Sequence, residues 1–133
     1  ESRRLAAAAA TVARATQAAL EAETDEATYA SPNRVKFSPG VSKGHCTIDL
    51  NGILVAGSYN VTSVTDTGLG DRTIVWNIDF SSAVYVIVSS MGSSNRGFIT
   101  FASFAAGSVQ LLTFNTGNAA ADIDTSQVAF GDQ

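Results

Sequence analysis

Thr73-Ile74-Val75-Trp76-Asn77-Ile78-Asp79-Phe80 decides the fold class. Ile74, Trp76, Ile78 and Phe80 recur at every second position, with Thr73, Val75, Asn77 and Asp79 between them. A period of two belongs to a β-strand, whose successive side chains point to opposite faces, so one face of this segment is heavily apolar. On its amino-terminal side, Asp66-Thr67-Gly68-Leu69-Gly70-Asp71 is a turn with two glycines, and Tyr59–Thr65 is β-prone. Further back, Gly44, Cys46, Ile48 and Leu50 alternate with His45, Thr47 and Asp49. Asn51-Gly52 follows directly, which predicts a type I′ hairpin before the apolar run Ile53–Ala56. On the carboxy-terminal side, Ala83–Val88 is apolar on both faces and predicts a central strand. Phe98–Phe104 and Val109–Phe114 read as strands joined at Ala105-Ala106-Gly107, and Ser126–Phe130 as a closing strand. Met91–Asn95 and Asn115–Ala121 read as loops. Roughly seven or eight short strands without intervening helices predict a mainly β domain over residues 41–133, an antiparallel β-sandwich or jelly-roll-like fold.

The first part of the chain is different. All 11 glycines lie at Gly40 or beyond. Residues 1–22 are rich in Ala, Leu, Arg, Gln and Glu, and no proline occurs before Pro32, which predicts a helix over 1–22. Leu5, Ala8, Val12, Ala15, Ala19 and Ala22 fall at alternating steps of three and four, a heptad seam. An alanine seam buries little surface, and a lone short helix is marginal in water. These six residues therefore predict a parallel coiled-coil stem over 1–30 that associates with other copies of the chain. A solvated helical linker, or a helix packed on its own domain, is the blander alternative. The seam itself does not distinguish a dimer from a trimer. Thr24 and Asp25 are placed to cap a short turn over 25–30. Residues 31–40, with Pro32 and Pro39, read as a linker.

Composition narrows the chemistry. One Cys and one His among 133 residues exclude an intrachain disulfide framework, a cysteine-rich zinc site and a multi-histidine centre within one chain. A net charge of −4 argues against nucleic acid as the main partner. No apolar run reaches the roughly 20 residues of a membrane span, so the chain is not expected to be membrane-embedded. A Ser-His-Asp hydrolase would have to use His45, but no Gly-x-Ser-x-Gly elbow is present, and His45 reads as a half-exposed strand residue. Cys46 reads as a small buried hydrophobe. Asp66 and Asp71, and Asp122 and Asp124, read as turn formers before catalytic carboxylates or calcium ligands. Asn60-Val61-Thr62 has the form of a glycosylation sequon. No catalytic residue, cofactor or metal is expected.

Four ordered segments carry a family resemblance. Ala15-Thr16-Gln17-Ala18-Ala19-Leu20-Glu21-Ala22-Glu23-Thr24-Asp25, continuing through Tyr29 and Ser31-Pro32 to Val35, resembles a segment recurring in tail fibres of tailed bacteriophages. That segment is an alanine- and glutamine-rich helix, then Ala-Gly-Thr-Asp, then Ser/Thr-Pro; this chain has Glu23 where the glycine is common. Ser38-Pro39-Gly40-Val41-Ser42-Lys43-Gly44-His45 resembles the "SPGVAKAW" that leads into a small β domain at the end of many such fibres, with His45 at the usual Trp. Ser58–Asp71 resembles that domain's "SYNVSSVTDNGTGDYTV", and Val128-Ala129-Phe130-Gly131-Asp132 is similar to its usual close. The likeness covers most of residues 15–90 and the end of the sequence; residues 92–125 match no named segment.

The resemblance implies a homotrimer, a place in the virion tail fibre, other tail proteins as partners, and attachment to a bacterial surface glycan or outer-membrane protein. On a simple meander, the loops at Asn51-Gly52, Ser81-Ser82 and Ala105–Gly107 are expected to share the end farthest from the helix. Asn51, Gly52, Phe80, Ser81, Ser82 and Phe104 are then the candidate receptor-binding residues. Two alternatives stand beside adhesion: a domain that caps and registers the trimer, and a tail protein that degrades polysaccharide.

Overall fold

The computed structural model describes residues 13–22, 28–38, 40–92 and 96–133. The chain divides into two units, Glu1–Ser38 and Pro39–Gln133.

Among the described residues of the first unit, the expected helix is present only over its last part and residues 13–16 lie outside it. Helix α1 spans Gln17–Ala22. Thr16 begins it: its Oγ1 accepts from the Ala19 N–H at 3.1 Å and its carbonyl from Leu20 at 3.2 Å, the geometry of an N-cap. Gln17 and Glu21, one turn apart, are joined at 2.7 Å. At residues 13–15 the backbone is not helical. Arg14 forms a parallel bridge with Tyr29, in which Ala15 N–H donates to the Tyr29 carbonyl and Tyr29 N–H to that of Ala13. Ala15 is thus buried by an extended bridge, not by a helical seam, and Ala22 is exposed. Leu5, Ala8 and Val12, and the turn proposed at Thr24-Asp25, lie outside the described residues. Pro32 opens helix α2, Pro32–Val35, at the first helical position, where its missing N–H costs nothing. The expected linker therefore contains a turn of helix.

The described residues of the second unit form seven strands: β1 Gly44–Ile48, β2 Val61–Gly68, β3 Asp71–Trp76, β4 Val86–Met91, β5 Gly97–Ala105, β6 Ser108–Asn115 and β7 Thr125–Phe130. All pairs are antiparallel. One sheet has the order β1-β7-β4 and the other β2-β3-β6-β5. Their inner faces share one core, with Cys46, Ile48 and Ala129 from the first sheet and Ile74, Trp76, Val109 and Leu111 from the second.

Period two explains both sheets. Arg72, Ile74 and Trp76 on β3 are buried and their neighbours are not. Val109, Leu111 and Thr113 repeat the pattern on β6. The ladder stops at Trp76, short of the expected Phe80. Ile78 is over half exposed, whereas Phe80 turns back into the core. Ala83–Val88 gives a second difference. Its ladder begins at Val86, and β4 is an edge strand rather than a central one, with Val84, Val86 and Val88 facing solvent. The Asn51-Gly52 hairpin exists, but only Gly52 has positive φ, so the turn is not type I′. Asp49 N–H donates to the Ile53 carbonyl and Gly52 N–H to that of Asp49, a three-residue loop with Gly52 in the left-handed position.

An aromatic cluster fills one end of the core. Phe80 stacks on Tyr85 with centroids 4.0 Å apart, and Trp76 meets both rings edge-on. The Tyr85 hydroxyl accepts from Trp76 Nε1 at 3.1 Å and lies within 3.0 Å of the Ala105 and Ser108 carbonyls. Tyr85→Phe strands the indole N–H and is expected to cost about 1–3 kcal/mol in urea unfolding; an unchanged midpoint would contradict this role.

Burial pushes the Cys46 thiol up from 9.0 to about 11, against a lowering hydrogen bond from Gln127. The unfolded chain gives up this proton at lower pH than the folded domain does. Stability from this group is therefore present below pH 9 and lost as pH rises from about 9 toward about 11. Burial raises Tyr85 in the same direction. The urea midpoint is expected to fall between pH 8 and pH 10.5, and to fall less in Cys46→Ala. An identical fall in both proteins would contradict the assignment.

Candidate binding surface at the loop end

The strand registers sort the loops into two ends. The chain enters the domain at Lys43-Gly44, beside Ala129, and this near end also holds Val61 opposite Trp76, Val75 opposite Ser108 and Val86 opposite Phe130. The far end holds Ile48 and Met91 opposite Thr125, Asp71 opposite Leu112 and Gly97 opposite Asn115. The expected grouping of three loops is therefore corrected. Asn51 and Gly52 lie at the far end. Phe80, Ser81, Ser82 and Phe104 lie at the near end, because β3 and β5 both run back toward the side where the chain enters.

The near-end candidates make a poor site. Phe80 is buried, 3% exposed, under Tyr85 and Trp76. Phe104 is partly exposed and packs edge-on against Tyr85 at 5.1 Å. Ser81 and Ser82 are exposed, but Ser81 N–H is tied to the Asp132 carbonyl and Ser82 Oγ accepts from Val84 N–H.

Three far-end loops among the described residues share a construction. In each, an Asp or Asn side chain accepts the N–H two residues on: Asp49 from Asn51 at 2.9 Å, Asp66 from Gly68 at 3.2 Å and Asn115 from Gly117 at 2.9 Å. Asp49 and Asn115 also take the N–H four residues on, from Ile53 and Ala119. Such turns fix a loop through its own side chain.

Arg72 joins these loops. Its side chain has no solvent exposure. Nη1 donates to the Ile123 carbonyl at 2.8 Å and Nη2 to the Leu50 carbonyl at 2.9 Å, and Nη2 lies 3.5 Å from the Asp122 carboxylate. Asp122 in turn accepts the Gly70 N–H at 2.8 Å. Gly70 has φ 66°, and a Cβ there would strike the Thr113 carbonyl and the Ala121 backbone, so only glycine lets these two strands of the network meet. Gly52 packs its backbone against the Asp66 side chain, which brings the first two loops together. Held this way, Leu50, Ile53 and Leu69 expose 44%, 61% and 64% of their surface, next to exposed Asn51. Apolar side chains on braced loops suit non-covalent recognition more than bond making.

The remaining candidates have structural partners. Asp71 accepts from Gln110 Nε2 at 2.9 Å, on the outer side of the sheet. Asn60, in the left-handed conformation, donates from Nδ2 to the Lys43 and Ile78 carbonyls and accepts from Ile78 N–H. Its amide braces the near end rather than standing free for a glycan. Arg72 was absent from the sequence candidates, although its phase with Ile74 and Trp76 placed it inward. No protein-family model, no curated protein and no solved structure matches this chain.

Arg72→Lys removes the fork that reaches two carbonyls and is expected to destabilise the domain by about 3 kcal/mol. Amide exchange should rise most at 50–53 and 69–70. Uniform exchange across both ends would contradict a local clamp.

Proposed function

We propose that the chain is the distal part of a tailed-bacteriophage tail fibre and that its far-end loops bind the bacterial surface. The observation that carries this reading is the gathering of the loops at 49–53 and 66–70 opposite the point where the chain enters the domain. Buried Arg72 braces them, and Leu50, Asn51, Ile53 and Leu69 are presented to solvent. The resemblance at Ala15–Val35, Ser38–His45, Ser58–Asp71 and Val128–Asp132 supplies the fibre context. It also implies association of three copies and neighbouring tail proteins as partners. Adhesion by several weak sites on one tip, with several fibres on a particle, needs no strong single contact. A small mixed apolar and amide patch suits a surface glycan or an outer-membrane protein.

The test is binding of the labelled chain to a panel of bacterial strains. Ile53→Asp with Leu69→Asp is expected to lower binding at least about tenfold, and Ser81→Ala with Ser82→Ala to leave it unchanged. Loss of binding in the serine pair alone would move the site to the near end. Binding to no strain in the panel, or binding unaffected by either pair, would count against adhesion through these loops.

A further inference from the structure

The charge of the chain is unevenly placed. Residues 1–38 hold five acidic and five basic side chains, so the whole net charge of −4 belongs to residues 39–133. That stretch has seven aspartates and three cations, Lys43, Arg72 and Arg96. Five of the aspartates lie at the far end. Asp49 follows β1, Asp66 and Asp71 stand on either side of the turn from β2 to β3, and Asp122 and Asp124 precede β7. Asp79, beside Gly107, and Asp132, beside Ser81, lie at the near end.

The cations do not offset this. Lys43 is buried where the chain enters the domain, and Arg72 is buried and committed to Asp122 and two carbonyls. Among the described residues of the far end, Arg96 is the exposed cation. Asp49, Asp66, Asp71 and Asp124 therefore stand against one exposed arginine. Asp49 and Asp66 belong to the same two loops that present Leu50, Ile53 and Leu69. Those loops, 49–53 and 66–70, hold no aromatic ring on which a sugar could stack. Aliphatic tips beside carboxylates have the make-up of a protein interface, apolar at its middle and polar at its rim.

We propose that the partner of the far-end loops is a protein of the bacterial surface that presents Lys or Arg around an apolar patch, and not a glycan. The inference rests on the adhesive reading above and names the class of its partner. Charge complementarity chooses it. Clustered carboxylates attract ammonium and guanidinium groups and repel phosphates and other carboxylates, so the far end disfavours an acidic envelope glycan. A neutral glycan gains nothing from the charge and brings no aliphatic side chain to Leu50, Ile53 and Leu69. A basic and apolar protein surface uses both features. Charges at such a rim act mainly on the rate of association, and salt screens them over about 10 Å at 0.1 M.

The experiment measures association of the labelled full chain with a strain it binds, at about 0.05 M and about 0.5 M salt. Asp66→Asn with Asp71→Asn removes two far-end charges and keeps an oxygen to accept from Gly68 and from Gln110. Asp79→Asn with Asp132→Asn removes the same charge at the near end. Association is expected to slow at least about fivefold in the higher salt, and about as much in the far-end pair at the lower salt, with the near-end pair unchanged. Trp76 fluorescence checks the fold; if the far-end pair unfolds, Asp66→Asn alone is read by the same criterion. Binding is expected to survive periodate oxidation of the cells' glycans. A rate indifferent to salt, equal slowing in the two pairs, or binding lost to periodate overturns the proposal and leaves the loops as the adhesive surface. The adhesive reading fails separately, when Ile53→Asp with Leu69→Asp leaves binding intact. Binding to no strain overturns both.

Discussion

A guanidinium withdrawn from water holds the far end of this domain together. A guanidinium buried this fully obliges the fold to supply acceptors for its N–H groups. It finds the Leu50 carbonyl from one part of the chain and the Asp122 carboxylate and Ile123 carbonyl from another. The result is a cross-tie from β3 to the loop after β1 and the segment before β7. The wider loop end depends on it: Asp122 reaches Gly70, and Gly70 is pinned to Thr113. A hydrophobe at position 72 could fill the same volume, but it would leave those loops without a common anchor.

The two ends of the domain are built on different principles. The near end is an aromatic plug, where Trp76, Phe80 and Tyr85 lock ring against ring and one hydroxyl links the β6 hairpin to β3. The far end has polar ties beneath apolar tips. Packing turns Trp76, Phe80 and Tyr85 inward at the first, although Ile78 and Val84 beside them face solvent. Directional bonds make the second rigid while letting leucine and isoleucine face solvent. That contrast favours the far end as the adhesive surface in the proposed tail-fibre reading.

Much of this was legible in the residues. Alternation placed Ile74, Trp76, Val109 and Leu111 inward, and Asn51-Gly52 marked a real hairpin, because a period of two and a turn glycine are local signals. The misplacements came from tertiary terms. Ala83–Val88 looked central because both faces are apolar, yet nothing in that run says whether one or two strands lie beside it. Phe80 looked like a loop-end aromatic because its ring stack with Tyr85 is not encoded in spacing. The heptad from Leu5 to Ala22 read as one helix, but Thr16 caps a helix that starts at Gln17, and Arg14 bridges to Tyr29 instead. Arg72 is in phase with Ile74 and Trp76, but a charged residue is seldom expected inside.

The central claim is that the braced far-end loops are the adhesive surface. Hydrogen exchange of the full chain, with and without purified envelope from a strain it binds, tests this most directly. The account predicts protection of the amides at 50–53 and 67–70, with little change at 77–84 and 103–107. Protection confined to the second set would contradict it.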